Sequence, residues 1–104
     1  LPPNNDINYA TKQPDNKECW VNPLTTQLDK NWVLILNNTM KGELIILTIP
    51  VGTFHLLDST GEGLRTRADK ENQINLKINL ETLIDKASGT DFSPFLTERV
   101  RYRD

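Results

Sequence analysis

Residues 32–36 read Trp-Val-Leu-Ile-Leu and residues 44–49 read Leu-Ile-Ile-Leu-Thr-Ile, with Asn37-Asn38-Thr39-Met40-Lys41-Gly42 between them. Two short runs of aromatic, β-branched and aliphatic residues, joined by turn chemistry that ends near a glycine, predict a β-hairpin over 32–49. Neither run alternates cleanly with polar residues. The hairpin must therefore sit centrally in a sheet or be covered on both faces. Pro50 ends the second run, because it has no N–H to give to a ladder. Val51-Gly52 then turns the chain and predicts a third strand over 53–57.

Residues 74–80 alternate without error. Ile74, Leu76, Ile78 and Leu80 face one way; Asn75, Lys77 and Asn79 face the other. This predicts a strand with one dry and one wet face. The period then changes, with Leu80, Leu83, Ile84 and Ala87 at i, i+3, i+4 and i+7. Asn79 suits an N-cap, Glu81 the positive end of a helix dipole, and Gly89 the left-handed position beyond the last turn. The spacing predicts a short helix over 80–88. A shorter alternation, Leu64, Thr66 and Ala68 against Arg65 and Arg67, predicts a strand over 64–68. Residues 95–103 fit two patterns. In a helix, Ser93 would cap and Pro94 would take the first position, but Arg99 would fall inside the apolar sector. In a strand, Leu96, Val100 and Tyr102 share one face and Thr97, Arg99, Arg101 and Arg103 the other, with only Glu98 out of place. The strand is favoured.

Residues 1–18 hold three prolines and four asparagines and show neither period. They are expected to form an extended or partly disordered arm. A chain of 104 residues accommodates one domain. The expectation is a single α+β domain over 19–104. It comprises a small, mainly antiparallel sheet of about four to six strands, built on hairpin 32–49 and strand 74–80, with helix 80–88 packed on one face.

Composition matters chiefly for what it excludes. The net charge is −2 and no stretch forms a charge block, so the whole-molecule field does not attract nucleic acid or an anionic membrane. The longest apolar run is far too short to cross a bilayer, and no signal peptide is legible. Cys19 is the lone cysteine, which rules out an intramolecular disulfide. The expected compartment is the cytoplasm, although a mature secreted chain would look the same. The chain lacks a start methionine, its only Met being Met40, which agrees with an excised module, a processed chain or a trimmed one. Asn37-Asn38-Thr39 matches a glycosylation acceptor, a pattern that asparagine-rich turns also produce by chance.

His55 is the only histidine, and this removes most catalytic machinery. A triad would need His55 with Asp58 and one of Ser59, Ser88 or Ser93, and no nucleophile-elbow pattern surrounds those serines. A Cys19–His55 dyad is formally open, but Cys19 sits beside Trp20 and Val21 like an inert core thiol. One His, one Cys and scattered carboxylates make no metal site. Gly61-Glu62-Gly63 lacks the Lys-Ser/Thr and third glycine of a phosphate loop. Asp29 and Lys30 are adjacent, so on a strand they would face apart rather than form a nuclease pair. No catalytic, cofactor-binding or metal-binding residue is assigned, and no cofactor is expected.

The remaining feature is arginine alternation. Arg65 and Arg67 would share a face of one strand, and Arg99, Arg101 and Arg103 a face of another. Alternate strand residues lie about 6.6 Å apart, close to phosphate spacing along a nucleic-acid strand. Arginine forks bind phosphate well. If the two strands were neighbours, five arginines would make one basic surface. Ordinary solvated charge on an edge strand explains the same pattern. The leading expectation is a non-catalytic binding or interaction domain of a larger protein, with a protein partner or parent-chain domains and no membrane. The alternatives are a nucleic-acid-contacting accessory domain of a DNA-processing protein such as a nuclease, using these five arginines, and a small hydrolase using His55 and Asp58.

Overall fold

The structure, a computed structural model, describes residues 6–103. Among them six strands appear in chain order: β1 (Ile7–Thr11), β2 (Glu18–Val21), β3 (Trp32–Asn38), β4 (Glu43–Ile49), β5 (Leu76–Asn79) and β6 (Leu96–Arg101). Four of them form one sheet in the order β1-β3-β4-β6, and β2 and β5 form a separate ladder. The expected hairpin forms, with β3 and β4 antiparallel from Trp32↔Ile49 to Asn38↔Glu43. They are the two central strands, so each has sheet neighbours on both sides, as their unbroken apolar runs require.

The core lies between the two sheets. Trp32, Leu34, Leu36, Ile45, Leu47 and Ile49 line one face of the large sheet. Cys19 and Val21 of β2 and Leu76 and Ile78 of β5 point into the same cluster, joined by Leu64, Ile74, Leu80, Leu83 and Phe92 from the loops. Phe54 closes one end, 4.8 Å from Phe92 and 5.3 Å from Phe95 between ring centroids.

The α+β expectation is overturned, because the described residues are mostly strand, with no helix of seven residues or more among them. Helical structure among the described residues is confined to short 3-10 turns, such as Thr25–Asp29 and Ser93–Phe95. The expected helix over 80–88 is absent, yet its start signal operates. Asn79 Oδ1 accepts from the N–H groups of Glu81 (2.7 Å) and Thr82 (3.0 Å), as an N-cap would. The turn then stops at Leu83, whose φ of 61° is left-handed. Beyond it the backbone returns along β5: Asn79 N–H donates to Ile84 O at 3.0 Å and Lys86 N–H to Lys77 O at 2.8 Å. A nine-residue helix is marginal by itself. The exposed edge of β5 offers these backbone groups better partners. The supposed stripe splits accordingly, with Leu80 and Leu83 buried and Ile84 40% exposed.

Three other strand expectations change. Strand 74–80 contracts to Leu76–Asn79, and Ile74 makes only an isolated bridge with Thr66. Segments 53–57 and 64–68 are not strands. They touch through a single Leu56↔Leu64 bridge, where Gly63 (φ 121°) brings its backbone so close to Leu56 that a Cβ would collide with it. Residues 7–11, expected within an arm, form β1 and pair in parallel with β3 from Ile7↔Val33 to Thr11↔Asn37. Asn8 helps to hold this strand in place by exchanging amide hydrogen bonds with buried Gln27 of the Thr25–Asp29 turn (2.6 and 3.2 Å). Residues 1–5 of that arm lie outside the described residues.

Residues 96–101 are a strand, β6, antiparallel to β4. A register shift at Ile46/Leu47 places Leu96 opposite Leu47 and Glu98 opposite Ile46. Leu96 therefore leaves the row of Val100 that simple alternation assigns to it, because the bulge at Thr97 inserts an extra residue.

Candidate functional site

The side of the large sheet away from the core carries a second set of apolar residues. Paired residues share a face, so the register groups Ile7 and Tyr9 of β1, Ile35 and Asn37 of β3, Leu44 and Ile46 of β4, and Val100 of β6. Ile7, Ile35, Leu44, Ile46 and Val100 are half-buried, and none of them belongs to the core cluster or packs against it. Among them stands Val33, which is buried beside Ile7 and Thr48. The β2–β5 layer covers only the opposite face.

One end of this open face is fixed by a hydrogen-bonded belt. Tyr102 Oη donates to Asn37 Oδ1 at 2.6 Å, and Asn37 Nδ2 bonds Tyr9 Oη at 2.7 Å. Both rings stay about half exposed, 57% for Tyr9 and 50% for Tyr102. Asn37, the glycosylation-acceptor candidate, thus spends its side-chain amide on the belt. Sequence reading missed this surface. Its signal lies in the two apolar runs, which supply more apolar side chains than one core face takes up.

The arginines do not converge as the basic-surface expectation requires. Segment 64–68 bridges to Leu56 and Ile74, whereas β6 pairs with β4, so the two arginine groups do not lie on neighbouring strands. Arg65 donates to Gly63 O (2.6 Å) and Gly61 O (3.2 Å) and so holds its own loop. Arg67 forks onto both oxygens of Asp69 at 3.0 and 2.9 Å. Arg99 pairs with Glu43 at 2.9 Å. The Arg103 guanidinium caps the hairpin turn by donating to Thr39 O (2.6 Å) and Met40 O (3.0 Å). Arg101 makes one long contact, Nε to Arg103 O at 3.4 Å. Arg99 and Arg101 do share a face of β6, and both are exposed.

His55 Nε2 lies 2.9 Å from Asp58 Oδ2, so the acid–imidazole pair of the hydrolase alternative forms. Asp58 is first of all a loop organiser. Its Oδ1 accepts from the Thr60 hydroxyl and backbone N–H, and these bonds hold its carboxyl down at about 2. His55 lines two clefts of about 310 and 550 Å3, the first also lined by Ser88 and Thr90. The Ser88 hydroxyl hydrogen-bonds buried Asp85 at 2.6 Å and Thr90 at 2.8 Å. No serine hydroxyl among the described residues hydrogen-bonds His55. Cys19 is fully buried, its thiol against Ala10 O at 3.8 Å, and burial pushes it up to about 11. A thiol closed away and held neutral is no nucleophile. No group of three or more metal-ligating side chains occurs among the described residues. No helix among them is long and apolar enough to cross a membrane.

No protein-family model, curated protein or solved structure matches this chain.

Proposed function

We propose that the chain is a non-catalytic interaction domain that docks onto a protein partner, or onto another domain of its parent protein, through the open face of the four-stranded sheet. One observation carries the reading: Ile35, Leu44, Ile46 and Val100 form a continuous apolar strip outside the core. Apolar patches rimmed by polar groups mark protein contacts. Exposed Thr48 and Glu98 supply such a rim on this face. Tyr9 and Tyr102 add aromatic area at one end. Rings already held by hydrogen bonds lose little freedom on contact, which is how tyrosine anchors interfaces. The proposed compartment is the cytoplasm, in keeping with a single buried cysteine and a fold that uses no intramolecular disulfide.

Photo-crosslinking tests the reading. A benzophenone side chain is placed at Ile46 on the open face or at Trp20 on the outer side of the β2–β5 ladder, and the protein is irradiated in extract of its source cells. A discrete adduct from position 46, absent from position 20 and lost when Val100→Lys is added, supports it. Equal labelling from both positions, or none from position 46, sinks it. Titration of labelled oligonucleotides at low and physiological salt runs alongside. Micromolar binding that weakens steeply with salt and disappears in R99E/R101E would instead assign the arginines to nucleic acid.

A further inference from the structure

The geometry points to the outer edge of β6 as an acceptor for an extended peptide strand whose residues alternate between acidic and apolar. This rests on the interaction-domain reading and names a partner chemistry for it. Among the described residues β6 is the last strand of its sheet. Tyr102 N–H donates to Gly42 O at 2.9 Å. Backbone bonding alternates along an antiparallel pair, so Val100 and Glu98 also bond toward β4. The N–H and C=O groups of Arg99 and Arg101 then point away from the sheet, ready to pair with an added strand.

The side chains say what that strand contains. An added residue shares a face with the residue it opposes. Those opposite Arg99 and Arg101 meet two exposed guanidiniums and should be acidic. Arg99 spends one nitrogen on Glu43 and keeps donors free. No carboxylate pairs with Arg101 among the described residues. The residue opposite Val100 extends the apolar open face and should be apolar. A second copy of this chain fits badly. Antiparallel self-pairing centred on residue 98 sets Glu98 against Glu98, and pairing centred on 99, 100 or 101 sets arginine against arginine. The edge thus rejects itself and selects an acidic strand.

The test is a fluorescence anisotropy titration of the protein with three labelled peptides: one alternating Glu and Val, one alternating Lys and Val, and one with the Glu and Val residues in separate blocks. The alternating Glu/Val peptide should bind at least tenfold tighter than either control. R99E/R101E should reverse the preference between Glu and Lys. N-methylation of the alternate Glu/Val amides that face β6 should weaken binding at least tenfold, and methylation of the other set should not. That arm leaves the protein unaltered. Equal binding of the alternating and blocked peptides, or indifference to the position of methylation, would overturn strand addition. Either failure leaves the open-face crosslink standing, and loss of the crosslink with peptide binding intact would reject the open face alone.

Discussion

Asp85 is a buried carboxylate with structural work. It is 0% exposed, and its Oδ1 accepts from Lys77 N–H (2.9 Å) and Ala87 N–H (3.1 Å) while Oδ2 takes the Ser88 hydroxyl. Asp85→Ala strands these donors and should cost about 3 kcal/mol in urea unfolding, with Asp85→Asn milder because one oxygen remains. Asp58 is the exposed counterpart. Its carboxyl is lowered from 3.8 to about 2, chiefly by the Thr60 hydroxyl. A lowered folded value means that the loop's stabilisation is full above 3.8 and is lost as pH falls through about 2. The Thr60 amide resonance should follow that titration, and Asp58→Asn should abolish the transition. Cys19, raised to about 11 by burial, should resist thiol reagents in the folded protein at pH 8 and react fully in urea.

At the scale of elements, the hairpin turn and the C-terminal strand are one unit. Gly42 has a φ of 63°, its carbonyl receives the Tyr102 and Arg103 N–H groups, and a Cβ there would run into the Arg103 side chain. Gly42→Ala combines a left-handed penalty of about 1 kcal/mol with that collision. It should lower the unfolding midpoint and speed amide exchange at Tyr102 and Arg103 more than at β3. Segment 80–88 shows how an element is lost. Its cap residue, acidic first turn and terminal glycine are all real local signals, and Asn79 makes the cap bonds. The segment sits next to an open strand edge that captures its backbone, and no local pattern reports that edge.

For the whole molecule, the described residues make one sheet with two apolar faces and one covering layer. Trp32, Leu34 and Leu36 fill the core, while Ile35 on the same strand remains half-buried on the other side. Ile46→Lys should cost about 1 kcal/mol of urea stability, well short of a core substitution, because its half-buried side chain borders solvent, and should abolish partner crosslinking from Val100. Loss of stability comparable to a core substitution would mean that the face belongs to the fold and not to a partner.

The amino-acid sequence by itself determined β3, β4 and their turn, because adjacent apolar runs and an asparagine–glycine connection bring their own partner within a few residues. It also determined the alternation of Leu76 and Ile78 and the strand character of 96–101. Only the tertiary structure decided that Ile7–Thr11 joins the sheet in parallel, that 80–88 follows β5 instead of coiling, and that Arg65 and Arg67 are held apart from the β6 arginines. Those outcomes depend on backbone groups and surfaces distant in the chain. Hydrogen-bond satisfaction and burial act between elements after they meet, and periodicity within a segment carries no record of what it will meet.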